Sequence, residues 1–194
     1  MYSLVLDSSS NSLTVGFSKE NELVCSTSYE AWQTQSEYMI PEIDKLMEKY
    51  SISRNEIDSI VVSIGPGSYT GVRIALTIAK VSALALNVPV YPVSSLRVLK
   101  SNNLPSICLI NARSERSYFG VFKGEQIIVD DCIKSNDEVK DYINKHPDYI
   151  ICGDARYLGF DNVDNNICKQ MISLKPFLKP MDDSLGLKPI YMKD

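Results

Sequence analysis

The stretch SIGPGSYTGVRIALTIAKVSALALNVPVYPVSSL, residues 63–96, decides how the rest of the chain is read. It completes the β-rich run DSIVVSIG (58–65), turns through GPGSYTG, and continues as an apolar helix over Thr70–Leu86 before the run VPVYPV (88–93). Strand, helix, strand with one short turn is the signature of a parallel β unit. Within it, Gly65, Gly67 and Gly71 form a glycine turn, and Ser68 or Thr70 stands where a helix N-cap belongs. Anions bind where glycine loops enter helices. Here, however, Val72-Arg73 replaces the Lys-Ser/Thr pair of a P-loop, and the spacing misses GxGxxG. A tight packing turn fits these residues better than a phosphate cradle.

Upstream, SLVLD (3–7), SLTVGF (12–17) and NELVCSTSYE (21–30) form a three-strand meander. Apolar residues at Met39, Ile43, Leu46, Met47 and Tyr50 then mark a helix over 36–50, with Pro41 suggesting a kink or a later start. Downstream, SICLINARSERSYFGVFKGEQIIVDDCI (106–133) repeats SLVLDSSSNSLTVGFSKENELVCST (3–27) in order, turn placement and apolar rhythm. A helix follows, capped by Ser135 with Glu138 three residues on and ending before Pro147. DYIICGDA (148–155) then matches DSIVVSIGPG. The unit is written twice, which predicts an α/β duplicated actin-like (ASKHA, ribonuclease-H-like) fold. KSNNLP (100–105) divides subdomains 1–102 and 103–194. After Asp154 the pattern thins into a Pro-rich tail, so the second half is shortened by at least one helix.

With 44% apolar and 23% charged residues, the composition is that of an ordinary globular protein. The opening residues read as a strand, not a signal peptide, and the longest apolar run is interrupted by Arg73 and Lys80. A cytoplasmic protein without a membrane span is expected. A formal charge of −4 shows no basic footprint for gripping nucleic acid alone. The five scattered cysteines form no CxxC pair and read as reduced structural thiols.

Enzymatic sites are poorly supplied. Phosphotransferases of this fold hold phosphate on Gly-containing hairpins, but LDSSSNSL keeps only Asp7 and INARSERS has neither Asp nor Gly. A two-metal nuclease needs converging carboxylates; Asp7 and Glu37 are candidates, and the strand SIVVSIG adds none. The single histidine, His146, falls at a helix end and is expected to be solvated. No catalytic, cofactor-binding or metal-binding residue is assigned.

The helix after the glycine turn is apolar on nearly every side. Arg73, Thr77 and Lys80 make one polar stripe, while Ala75, Ala79 and Ala83 form a seam of small residues. One sheet covers only one face of a helix. Two readings stay open: both first-half helices are buried inside the domain, or part of them is a docking face.

These residues together resemble the bacterial TsaB (YeaZ) family. Residues 65–96 look like its GPGSFTGLRIGL-type segment, AKGLAL helix and VSSL. LVLDSSSNSLTVGF (4–17), QSEYMIPEI (35–43), INARSERSYFGVF (110–122) and KPIYMKD (188–194) add matches along the whole chain. Gln35 stands where the family has His, and Asn111 where it has Asp. The resemblance implies a non-catalytic accessory subunit of tRNA threonylcarbamoyladenosine (t6A) biosynthesis. Its partner would be TsaD, which transfers threonylcarbamoyl to the adenosine beside the anticodon of tRNAs reading A-starting codons. The P-loop ATPase TsaE joins the set, and tRNA is met only within the complex. By the resemblance, the contact is lined by Met39, Ile43, Leu46 and Met47 on the first helix and Ile74, Ala75, Ile78 and Ala79 on the second, flanked by Arg73. Alone, the chain is expected to pair with itself. An actin-like nucleotide-binding protein and a self-contained homodimeric scaffold are the alternatives.

Overall fold

The computed structural model describes residues 1–192; Lys193 and Asp194, which close both the KPIYMKD match and the second subdomain, lie outside the described residues. Among the described residues, nine strands form two sheets. The first runs β3-β2-β1-β4-β5, from β1 (Tyr2–Asp7), β2 (Ser12–Lys19), β3 (Glu22–Glu30), β4 (Ile57–Ser63) and β5 (Val90–Val93). The second runs β8-β7-β6-β9, from β6 (Ser106–Arg113), β7 (Arg116–Lys123), β8 (Gln126–Ser135) and β9 (Ile150–Gly153). Each joins an antiparallel meander to a parallel neighbour, β1 with β4 and β6 with β9. This is the duplicated actin-like fold, with one strand fewer in the second sheet among the described residues.

Period-two alternation sorts the first sheet's side chains. Leu4, Leu6, Ile60 and Val62 meet α1 (Gln35–Lys49) and α2 (Tyr69–Leu86) on one face. Val5 and Val61 point to the other face, where α5 (Ile167–Leu174) packs. Burial on both faces explains why β1 and β4 read as continuous apolar runs. On the second sheet, Ile107 and Leu109 pack on α4 (Asn136–Lys145), while Cys108 joins Leu96 of α3 (Ser95–Leu99). The Ser135/Glu138 capping box is present as expected.

Several expectations are corrected. Pro41 lies inside α1 and does not begin it. The short α3 and α5 have no counterpart in the sequence pattern. Met171, Ile172 and Leu174 of α5 are nearly fully buried, each contributing about 1.5–3 kcal/mol on transfer from water. The first sheet draws its strands from before Ser94 and the second from after Pro105, and the chain after Asn166 returns to the first: Met181 bridges Val90, and the Ile190 N–H donates to the Ile64 carbonyl at 2.7 Å. By length and composition, α2 is apolar enough to cross a membrane despite Arg73 and Lys80. In the fold its Ala75, Leu76, Ala79 and Ala83 face lies in the core of the first sheet, and the small side chains let the helix approach closely.

Candidate partner-docking groove

The glycine turn is occupied by the protein itself. Ser68 caps α2, accepting from the Gly71 N–H at 3.2 Å, and its own N–H donates to the Ser9 carbonyl at 2.7 Å. A Cβ at Gly67 would collide with the Ser9 carbonyl, and one at Gly71 with that of Ser8. Gly65 has φ +97°, and a Cβ there would sit 3.0 Å from the Ile190 carbonyl oxygen. The three glycines thus admit the backbone of the β1–β2 hairpin and of the C-terminal segment, as a packing turn requires.

Asp7 is buried beneath this turn. Its Oδ1 accepts from the Ser9 hydroxyl at 2.7 Å, from the Ser9 N–H at 3.2 Å and from the Ser63 hydroxyl. Burial pushes its carboxyl above the ordinary value of 3.8, and the bonds from Ser63 and Ser9 oppose that shift. Glu37 is exposed on the first turn of α1, so the two carboxylates offered for a nuclease site have opposite environments. The second hairpin closes through Arg113, Ser114 and Glu115, all in the left-handed region, with the Arg113 N–H donating to Asn111 Oδ1 at 2.8 Å. His146, at the end of α4, is half-buried: it packs between Tyr142 and Tyr149, and its Nδ1 bonds the Tyr142 carbonyl at 2.8 Å. Among the described residues no cluster of three or more His, Cys, Asp or Glu is arranged to hold a metal ion.

The open apolar feature lies between α1 and α2. Ser36 and Ile40 face Tyr69, Thr70, Arg73, Ile74, Thr77 and Ile78 across a groove of about 510 Å³. Of the residues proposed for a contact, Arg73, Ile74 and Ile78 line it. Met39, Ile43, Leu46, Ala75 and Ala79 do not: they are core residues, and Met47 packs against that core. On α1 the difference is one position, since Met39 is fully buried and Ile40 is 53% exposed. Tyr69, Val81 and Leu84 are exposed as well, beyond the residues expected at the contact. The signal was available: Val81 and Leu84 continue the Arg73–Thr77 stripe at helical spacing, so that stripe turns apolar towards the helix end.

Residues 29–149, more than half of the chain, match the family model described as "TsaD: tRNA N6-adenosine threonylcarbamoyltransferase". The TsaB protein of Bacillus subtilis is 32% identical over 124 residues, covering 62% of this chain and 54% of that protein. That of Haemophilus influenzae is 29% identical over 105 residues, covering 50% and 44%. The chain belongs to this family, in its TsaB (YeaZ) branch. It spans about half the length of these curated TsaB relatives. YeaZ of Pseudomonas aeruginosa shares the fold across 98% of this chain and 99% of its own, with a TM-score of 0.80 at 19% identity. Both departures from the TsaB pattern have local structural roles. Gln35 is buried and donates from Nε2 to the Ser10 carbonyl at 3.3 Å, tying α1 to the first hairpin, while Asn111 braces the second.

Proposed function

We propose that this TsaB-family chain is a non-catalytic accessory subunit of t6A biosynthesis that docks on TsaD through the α1/α2 groove. The observation that carries the proposal is the groove itself: Ile40, Ile74 and Ile78 line its apolar surface, with Val81 and Leu84 exposed farther along α2. Exposed apolar surface of this kind favours a protein partner. A match to the TsaD family model supports a partner of the same fold, because two related chains can oppose equivalent helix pairs about a pseudo-twofold axis. The self-filled glycine turn supports a scaffold role over phosphate chemistry. TsaE joins the TsaD complex, tRNA is met only there, and the setting is the cytoplasm. The same groove would serve a homodimer when TsaD is absent.

The test mixes the chain with TsaD of the same organism, follows assembly by light scattering after size exclusion, and measures threonylcarbamoyl transfer with each protein omitted in turn. A one-to-one complex whose activity collapses without this chain is expected. Ile40→Glu and Thr77→Glu, both at exposed positions of the groove, should each abolish assembly while leaving the melting temperature unchanged, since an unpaired charge is costly only once the groove is covered. Assembly of both variants at unchanged affinity would place the contact elsewhere.

A further inference from the structure

The groove is lined by α1 and α2, and the C-terminal segment braces one of its lining residues. After Met181 the chain returns along α2: the Lys80 ammonium donates to the Leu185 carbonyl at 3.2 Å, and Leu187 is buried in the first core. The Ile190 N–H then bonds the Ile64 carbonyl at 2.7 Å, and Gly65, without a side chain, leaves room for the Ile190 carbonyl. This anchored path delivers the Tyr191 ring to Tyr69, where the two stack with centroids 5.0 Å apart and planes 27° from parallel. Tyr69 in turn holds Arg73: the Arg73 Nη1 donates to the Tyr69 hydroxyl at 2.6 Å, and the guanidinium lies 5.1 Å from the ring centroid. Tyr69 and Arg73 both line the groove.

An exposed arginine usually samples many rotamers, and fixing it before binding removes part of the ordering cost of an interface. Offset aromatic stacking and a cation at a ring each add modest stabilisation beyond apolar burial. We infer that Tyr191 is a positioning residue of the docking groove: its stack on Tyr69 holds Arg73 ready for a carboxylate on the segment of TsaD that enters the groove. This rests on the docking role proposed above. Arg73 is the charged side chain among the residues lining the groove, so an acidic group on an otherwise apolar partner segment is the complementary chemistry.

The affinity for TsaD is to be measured by titration calorimetry at low and high salt for the wild type, Tyr191→Ala, Tyr191→Phe, Arg73→Ala and the Tyr191→Ala/Arg73→Ala double variant. Melting curves of each chain alone serve as the folding control. Tyr191→Ala and Arg73→Ala should each weaken binding about tenfold, as truncation of interface anchors does. The double variant should be no weaker than Arg73→Ala, because one residue acts through the other. Tyr191→Phe keeps the ring and should stay within about twofold of wild type. The salt dependence of wild-type binding should flatten in Arg73→Ala. Wild-type affinity in Tyr191→Ala, or fully additive losses in the double variant, would overturn the positioning role while leaving the docking role intact. Absence of any wild-type complex would overturn the docking role and this inference together.

Discussion

At the scale of single residues, Asp7 has the position of a catalytic carboxylate and the surroundings of a structural one. Three donors from Ser9 and Ser63 converge on one of its oxygens, and burial raises its pKa above 3.8. A raised native pKa means that the folded chain takes up the proton more readily than the unfolded chain. The contribution of Asp7 to stability is therefore fullest below its unfolded pKa and is lost as pH rises through the native one. Asp7→Asn keeps an oxygen for the same donors and cannot ionise. Urea midpoints taken between about pH 3 and pH 7 should show the variant gaining on the wild type as pH rises. A gap that does not change with pH would mean that Asp7 titrates as an exposed group does. Asp7 itself was legible in the sequence, but its enclosure was not, because Ser63 lies 56 residues away and is brought beside it by the β1–β4 pairing.

Among the elements, α1 separates core from contact by one residue. Met39→Ala should cost about 2–5 kcal/mol of stability in the isolated chain, whereas Ile40→Ala should stay within about 0.5 kcal/mol, read from denaturant unfolding. In the docking proposed above, Ile40→Ala should be the more damaging of the two to affinity, because Ile40 lines the groove and Met39 does not. Periodicity placed the long elements well: the expected helix 70–86 is observed as Tyr69–Leu86, and the cap at Ser135 is present. The shorter ones were not legible. α3 has five residues and α5 eight, too few for helical spacing to stand out or for isolated helices to persist. They depend on tertiary contacts: Asn165 Nδ2 donates to the carbonyls of Leu99 at 2.7 Å and Lys100 at 3.3 Å, and Asn166 caps α5.

At the scale of the molecule, the two sheets are joined through α3 and the ion pairs beside it. Glu125, in the β7–β8 turn, binds Arg97 at 2.6 Å and Lys100 at 3.2 Å, and Lys100 is 1% exposed. Removing either partner is not equivalent. Glu125→Ala leaves a buried ammonium without its carboxylate and should cost about 1–3 kcal/mol, while Lys100→Met replaces the charge with an apolar chain of similar length and should cost less than about 1.5 kcal/mol. Thermal unfolding of the two variants checks the order. Equal losses would show that Lys100 remains hydrated in the folded protein.

What the sequence determined by itself was the repeated unit, the long helices and the family. Each is carried by residues close together in the chain or by a pattern repeated along it. Only the tertiary structure decided which face of α1 and α2 is open, that α5 and the C-terminal segment return to the first sheet, and that Tyr191 meets Tyr69. Those outcomes depend on which surfaces compete to cover the same apolar area, and an apolar helix carries no local mark of where that competition ends.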